Sequence, residues 1–127
     1  MRVMVLGKAT KDTEAGVMPT AQAWEAMAQF QEELVKAGIV LGGEGLMPSS
    51  TGVRVRCSGK DRIVTDGPFL ETKELIAGYS IWEVKSMEEA VAWVKRCPLT
   101  DDSEVEIRPL FSFSPEEVSE IVSPAKG

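Results

Sequence analysis

The sequence predicts an α+β fold of the ferredoxin-like, split βαβ type, with an extra β-hairpin inserted between its two halves. Two observations predict this fold. Short segments with the two-residue apolar period of strands alternate with two longer segments of helical period. When the one clear hairpin is set aside, the remaining order is strand, helix, strand, strand, helix, strand. A chain of this order places an antiparallel sheet beneath two helices and leaves the other sheet face uncovered.

The first half begins with an apolar strand at residues 3–6, and residues 7–18 are polar and contain glycine, which predicts a loop. A helix is predicted from Thr20 to Ala37, because Thr20 can cap its first turn and Gly38 can end it. A strand resumes at residue 39. The predicted buried face of the helix consists of apolar residues at helical spacing, namely Trp24, Met27, Ala28, Leu34 and Val35.

The inserted hairpin is predicted at residues 53–65. Polar and apolar residues alternate strictly over residues 53–57, and the turn sequence Ser58-Gly59-Lys60-Asp61 precedes a second short strand. The basic residues of this segment alternate with apolar ones, so we interpret them as the solvent face of a strand and not as an anion site. They are Arg54, Arg56, Lys60 and Arg62.

The second half begins with the longest predicted strand, at residues 76–84. Ser86 and Glu89 form a capping box that predicts a second helix, which Pro98 ends, and residues 104–108 alternate as a last strand. These elements complete the second βαβ half.

The C-terminal segment is predicted to be separate from this domain. Ser114 and Pro115 form the start of a short helix that reaches about Val122. We therefore divide the chain into one ferredoxin-like domain at residues 1–113 and a short helix with a tail at residues 114–127. The last residues, 123–127, are expected to fray.

Length and composition exclude several classes of protein. The 127 residues suffice for one domain, and the net charge of −6 argues against a nucleic-acid-binding surface. No apolar stretch approaches the ~20 residues that span a bilayer, and the N-terminus does not resemble a signal peptide, so we expect a cytoplasmic protein. Two cysteines and no histidine predict free thiols at Cys57 and Cys97 and no metal site.

The segment from Asp66 to Glu74 is the strongest candidate for a functional site. Gly67 and Pro68 force a turn directly after a predicted strand, and four of the nine residues are charged. A rigid turn can hold a carboxylate in place, so we predict that Asp66 is catalytic, as a general base or as a group that orients a polar ligand. The alternative is an Asx-type turn, in which the Asp66 carboxylate accepts backbone N–H groups near Gly67.

Four further residues are predicted to bind the ligand. Glu44 lies between two glycines, which allow close approach by a ligand or a partner subunit; otherwise it is expected to form an ion pair or to face water. Glu71 and Lys73 can join an ion network around Asp66, and a plain solvated charge run is the alternative. Tyr79 is the only tyrosine, and on a central strand it fits the core or an interface as well as a ligand contact.

The strands also predict a partner. Several of them are apolar on both faces, although the helices of this fold cover only one face of the sheet. A second copy of the chain, packed sheet against sheet, would cover the other face, so we predict a homodimer. No cofactor is predicted, because the glycine-rich residues 42–45 include Glu44 where a phosphate-binding loop needs neutral or basic groups.

A series of motifs recurs in order over most of the chain. It consists of Leu41-Gly42-Gly43-Glu44-Gly45-Leu46, Val64-Thr65-Asp66-Gly67-Pro68-Phe69, Glu71-Thr72-Lys73-Glu74, Gly78-Tyr79, Arg96-Cys97-Pro98 and Val105-Glu106-Ile107-Arg108-Pro109. In these motifs the chain resembles the YCII-related proteins, specifically the branch named for its Asp-Gly-Pro-Phe (DGPF) motif. The segment from Ser114 onward resembles an extension beyond the usual end of the family.

The resemblance implies a dimeric α/β-barrel built from two ferredoxin-like subunits, with a cleft on each. It also implies a bacterial protein, often encoded beside extracytoplasmic-function sigma factors, in a family whose members mostly lack an assigned reaction. Some relatives are thought to act as small dehalogenase or lyase-type enzymes with a His–Asp pair. This chain has no histidine, so that pair cannot be transferred to it.

Three functions remain open at this point. The first, which we favour, is a dimer that binds a small molecule in a cleft lined by Asp66, Glu44, Lys73 and Tyr79, with carboxylate acid–base chemistry and neither metal nor cofactor. The second is an accessory or regulatory partner of an extracytoplasmic-function sigma factor, without catalysis. The third is a structural dimer with no chemistry of its own.

Overall fold

The main elements of the chain are six strands and four helices, and the computed structural model describes residues 1–122. The strands are β1 (Arg2–Lys8), β2 (Val40–Gly45), β3 (Val53–Ser58), β4 (Asp61–Asp66), β5 (Ile76–Glu83) and β6 (Val105–Pro109). The helices are α1 (Lys11–Glu14), α2 (Ala21–Lys36), α3 (Met87–Lys95) and α4 (Pro115–Val122), with short 3-10 turns at Ser49–Thr51 and Thr72–Glu74.

Four strands form one antiparallel sheet in the spatial order β2-β5-β1-β6. Strands β3 and β4 form a separate antiparallel hairpin between β2 and β5 in the chain. With α2 between β1 and β2, and α3 between β5 and β6, this is the ferredoxin-like split βαβ arrangement with an inserted hairpin. The predicted fold class is therefore confirmed.

The core lies between the sheet and the helices α2 and α3. Alternate residues of a strand point to the same face of the sheet. On the face that meets the helices, Val3 is fully buried and Trp82 is 3% exposed. Phe30 and Leu34 of α2 and Ala90 of α3 pack against them. The helix-facing side of the sheet is thus a closed hydrophobic layer.

The predicted buried face of α2 was wrong in most of its residues. Leu34 is buried, but Trp24 is 54% exposed and Val35 is 60% exposed, and Met27 and Ala28 are exposed as well. Apolar residues occur on more than one side of this helix, and only the stripe through Phe30 and Leu34 contacts the sheet. Phe30 and Leu34 are four residues apart and lie on the same helix face. They are the buried residues of α2, so the stripe that contacts the sheet is narrow.

The loop predicted at residues 7–18 is also partly wrong, because it contains α1. Thr10 caps this helix: its hydroxyl accepts from the Thr13 N–H, and the Thr13 hydroxyl accepts from the Thr10 N–H. The helix is only four residues long and has no apolar period, so periodicity could not reveal it.

The predicted N-caps are confirmed by hydrogen bonds. The hydroxyls of Thr20, Ser86 and Ser114 accept from the backbone N–H three residues later, in α2, α3 and α4 respectively. The C-terminal helix ends at Val122, and the tail predicted at residues 123–127 lies outside the described residues. Among the described helices, none has the length and apolar character required to cross a membrane.

Candidate functional site

The motif Asp66-Gly67-Pro68-Phe69 packs against the loop after β2. The Gly67 N–H donates to the carbonyl of Gly52 over 2.9 Å, and the Gly67–Pro68 peptide bond is cis. A Cβ on Gly67 would overlap the carbonyl oxygen of Ser49 and lie 2.7 Å from its carbonyl carbon. Glycine is therefore required here by a close backbone approach.

Ser49 is the centre of a hydrogen-bond network that joins three separate segments. Its hydroxyl and its backbone N–H both donate to the carboxylate of Glu14 in α1, the N–H over 2.9 Å. The same hydroxyl accepts from the Phe69 N–H over 3.1 Å. We call Glu14, Ser49 and Phe69 the anchor network, because it fixes the start of the segment that follows Phe69.

The hairpin is attached to the same place by an aromatic contact. The guanidinium of Arg54 in β3 lies 3.8 Å from the centre of the Phe69 ring, which is a cation–π distance. Arg54 was predicted to face solvent, and it is exposed, yet one face of its guanidinium covers Phe69. The motif thus connects the hairpin to the anchor network.

A cleft with a volume of about 860 Å³ lies at one end of the main sheet. Three segments line it: residues 9–12, residues 70–74, and Thr100 with Asp102. Glu71 and Lys73, both predicted as ligand-binding residues, are in this lining. A cleft of this volume has room for a small organic molecule.

Lys8 at the end of β1 connects this cleft to the uncovered face of the sheet. Its ammonium donates to the backbone carbonyl of Lys73 over 3.5 Å and lies 3.6 Å from the Glu106 carboxylate. The Lys8 side chain is only 21% exposed. Sequence analysis missed Lys8 and Glu106; extending the alternation of β1 from Leu6 by two residues would have placed Lys8 on this face.

Glu44 and Tyr79 lie side by side on the uncovered sheet face. They are direct cross-strand partners of β2 and β5, and Tyr79 pairs in turn with Leu6 of β1, which pairs with Glu106 of β6. Cross-strand partners share a face. The row Glu44, Tyr79, Leu6, Glu106 therefore crosses the whole sheet on the side away from the helices, and we call it the polar row.

The polar row lies in apolar surroundings. Its neighbours on the same face include Met4 and Ile81, which are partners in adjacent strands and only partly buried. Tyr79 is also partly buried, whereas Glu44 is exposed and forms no ion pair with a described residue. The ion-pair alternative for Glu44 is thus not seen within one protomer.

Asp66 lies apart from the cleft and from the polar row. It is exposed at the end of β4, opposite Val53, and is not among the residues that line the cleft. Among the described residues its carboxylate is neither in an ion pair with Lys73 nor in a side-chain hydrogen bond of an Asx turn. Its catalytic role stays a prediction.

The thiol of Cys97 is partly buried at the end of α3. Burial raises the pKa of Cys97 above its usual value of 9.0, because desolvation disfavours the thiolate. Cys57 is exposed, and both cysteines are free, as predicted. Within residues 1–122, no group of three His, Cys, Asp or Glu side chains is arranged to hold a metal ion.

Comparison with known proteins gives the family. The model of the YCII-related domain matches residues 1–114, so the chain belongs to the YCII-related family. An uncharacterized protein of Rhizobium meliloti (strain 1021) is 31% identical over 94 residues, which is 72% of this chain and 76% of the relative. Assignment to the DGPF branch stays a prediction.

One solved structure is similar in outline. It is 5-chloro-2-hydroxyhydroquinone dehydrochlorinase from Burkholderia phenoliruptrix AC1100 in complex with 2,5-dihydroxybenzoquinone. The likeness covers 92% of this chain and 99% of the dehydrochlorinase, with a TM-score of 0.48 and 14% sequence identity. At this TM-score and identity, the reaction of the dehydrochlorinase is not assigned to this chain.

Proposed function

We propose that this YCII-related protein is a homodimer that binds a small, polar organic molecule between the polar row and the cleft, with carboxylate acid–base chemistry and without metal or cofactor. The observation that carries the proposal is that Glu44, Tyr79 and Glu106 lie on the uncovered sheet face, with Leu6 between Tyr79 and Glu106, and that Lys8 pairs with Glu106 and donates to the backbone carbonyl of Lys73 at the cleft. These groups interrupt the apolar part of the sheet face. A few polar groups on a mostly apolar wall are typical of small-molecule sites.

The dimer is supported by the amount of exposed surface. The chain exposes 9689 Å², whereas a compact monomer of 13.8 kDa exposes about 6,600 Å². The excess is roughly half of the compact value. Part of this exposed area is contributed by Met4, Leu6 and Ile81, apolar residues that are only partly buried on the face away from the helices. A second copy packed on this face would enclose the polar row and exclude water from it.

Each residue of the proposed site has a chemical role. The Tyr79 hydroxyl can donate to or accept from a ligand, and Glu44 beside it supplies a carboxylate at the same face. Lys73 and Glu71 bind the charged or polar end of the ligand in the cleft. Asp66 is proposed as the general base from its place in the Asp-Gly-Pro-Phe motif. Within one protomer it lies apart from the cleft and from the polar row, so its variant tests catalysis independently of binding.

Thermal unfolding tests the binding site. Benzoate, phenol and chlorinated phenols serve as probes, and a probe at 100 times its Kd stabilises a protein by about 2.7 kcal/mol, which raises Tm by several degrees. We expect at least one probe to raise Tm of the wild type, and Tyr79→Phe and Glu44→Gln to lose that shift. Glu88→Gln on the outer side of α3 is the matched control and keeps it.

Two results separate binding from catalysis. If no probe class raises Tm, or if Tyr79→Phe keeps the full shift, the binding proposal is wrong. For a probe that binds, consumption of the probe is followed by chromatography in the wild type and in Asp66→Asn. Retained binding with lost consumption supports Asp66 as the base, and unchanged consumption contradicts it.

A second function, the accessory partner of an extracytoplasmic-function sigma factor, is favoured by the charge of the molecule. The net charge is −6, and three carboxylates lie on α4. An acidic surface attracts a basic protein and does so less at high salt. A salt-sensitive complex with such a sigma factor, formed equally well by wild type and Tyr79→Phe, would favour this function over the binding site.

A further inference from the structure

Arg108 on β6 brings a guanidinium to the edge of the uncovered sheet face. It pairs with Met4 of β1, Met4 pairs with Ile81 of β5, and Ile81 pairs with Gly42 of β2. These four residues form a second row across the sheet, on the same face as the polar row and two residues along each strand from it. We call it the arginine row, because Arg108 is the charged residue among the four.

The charges on this face are unevenly paired within one protomer. Glu106 lies 3.6 Å from the ammonium of Lys8 and also 3.6 Å from Nε of Arg108. One carboxylate therefore serves two cations, and the side chain of Arg108 is 72% exposed. At the other edge of the sheet, Glu44 forms no ion pair with a described residue. The β6 edge thus has an excess cation, and the β2 edge has a carboxylate without one.

Glu44 and Arg108 of the same protomer are too far apart to pair. They lie on the two edge strands of the sheet, with β5 and β1 between them. Neighbouring strands are about 4.8 Å apart, so roughly 14 Å separates the two edges. In the dimer proposed above, Glu44 is enclosed beside apolar residues, where a carboxylate without a partner is costly. The second copy can supply the cation that compensates it.

The orientation of the two sheets decides which residues face Glu44. When two uncovered faces meet about a two-fold axis that runs across the strands, β2 of one copy faces β2 of the other. Neither β2 nor β5 contains a basic residue, so two Glu44 carboxylates would approach each other without a cation, and like charges repel. An axis parallel to the strands instead places β2 opposite β6 of the other copy. The charges therefore favour the parallel axis.

Rotation about an axis parallel to the strands leaves positions along the strands unchanged. Each row then faces the same row of the second copy in reverse order, so Arg108 of one copy faces Gly42 of the other. A Cβ at Gly42 would have open space around it, which leaves room for a guanidinium beside Glu44, two residues along β2. Glu106 also faces Glu44 in this arrangement, but Lys8 of its own protomer balances its charge.

We propose that Arg108 of one copy forms an ion pair with Glu44 of a second copy, above Gly42 at the margin of the proposed binding site. The inference rests on the dimer and on the site proposed above, and it adds a residue to that site. Each site then contains Glu44 and Tyr79 of one copy and Arg108 of the other, so it is complete only in the dimer. Because a two-fold axis repeats each contact, a dimer contains two such pairs.

Charge reversal in two separate chains tests the pair. Glu44→Lys brings two cations together at each contact, and Arg108→Glu brings two carboxylates together, so we expect each variant to sediment as a monomer where the wild type is a dimer. When the two variants are mixed, opposite charges face each other at both contacts. We expect the two monomers to combine into a heterodimer, and the double variant E44K/R108E to form a homodimer.

Arg2→Glu is the matched control, because Arg2 lies on the same face in the row beyond the arginine row. Mixed with Glu44→Lys, it leaves the repulsion at Arg108 in place and should give at least several-fold less heterodimer. Circular dichroism verifies that each variant is folded. For a reversal that does not fold, Glu44→Gln and Arg108→Gln take its place, and together they should weaken the dimer no more than either does alone.

Each other result overturns the inference. A dimer from either single reversal means that the charge at that position is not opposed in the dimer. Two monomers that stay monomers after mixing mean that both residues affect the interface without facing each other. Equal heterodimer with Arg2→Glu means that overall charge decides, and additive losses in the glutamine variants mean that the two residues act independently. A monomeric wild type would instead disprove the dimer itself.

Discussion

The carbonyl oxygen of Ser49 occupies the space that a side chain on Gly67 would need. Two segments that are eighteen residues apart in the chain therefore fit together only with glycine at position 67. The fit is reinforced by the hydrogen bond from the Phe69 N–H to the Ser49 hydroxyl. Part of the Asp-Gly-Pro-Phe motif is thus explained by packing before any chemistry is considered.

Gly67→Ala is expected to destabilise the protein by about 1–3 kcal/mol, because the new methyl group displaces the backbone at Ser49. Urea unfolding followed by circular dichroism measures the change in the free energy of unfolding. Gly52→Ala is the matched control, since a Cβ there would lie 3.5 Å from the same Ser49 oxygen, an ordinary contact. Equal loss in both variants would contradict the packing explanation.

Ser49→Ala is expected to cost about 1–3 kcal/mol, because it leaves the Phe69 N–H without its acceptor and removes one of the two donors to Glu14. Hydrogen exchange of the Phe69 amide should become faster in this variant. Ser50→Ala changes an exposed neighbour and should leave both the stability and the exchange rate as they are. Unaltered Phe69 exchange in Ser49→Ala would show that the anchor network does not hold this segment.

Ile81→Asp is expected to dissociate the proposed dimer, because it places a charge on the apolar sheet face beside Met4. Sedimentation equilibrium should give about twice 13.8 kDa for the wild type and 13.8 kDa for the variant. Ala92→Asp, at an exposed position of α3 opposite the buried Ala90, is the control and should keep the dimer mass. Circular dichroism confirms that the variants are folded; a dimeric Ile81→Asp protein would argue against this interface.

The stability of the protein is expected to fall as the pH rises above about 9.0, the ordinary pKa of the thiol, because burial raises the pKa of Cys97 in the folded state. The unfolded chain then loses the proton more readily than the folded chain, which favours unfolding. The free energy of unfolding at about pH 8 and about pH 10 measures this fall. Cys97→Ala should reduce it and Cys57→Ser should not; an identical fall in both would assign it to other groups.

Much of the fold could be predicted from the sequence, because local signals agree with the tertiary structure. Thr20, Ser86 and Ser114 are caps in the sequence and in the structure, and each acts within four residues of itself. Burial on α2 could not be predicted in the same way. Trp24 and Phe30 are equally apolar in the sequence, and only the position of the sheet decides that Phe30 is buried.

The candidate site was predictable only in part. The charged segment after Pro68 lines the cleft with Glu71 and Lys73, and their role in ligand binding stays a prediction. The network of Glu14 and Ser49 joins residues 35 positions apart, and no local pattern reveals such a pair. Lys8 could be placed on the uncovered face by strand alternation, but its approach to Lys73 depends on the tertiary fold.

The segment between β2 and β5 leaves the sheet and returns to it at adjacent points. The Leu46 N–H donates to the carbonyl of Ala77 over 2.8 Å, and in the described part of the chain no core residue comes from residues 46–76. The segment is therefore a removable module. A designer could splice in a shorter turn there, which would delete the hairpin and one wall of the cleft, while the layered scaffold that folds the domain stays intact. Recognition can diversify in this module while the core between the sheet and the helices keeps its residues.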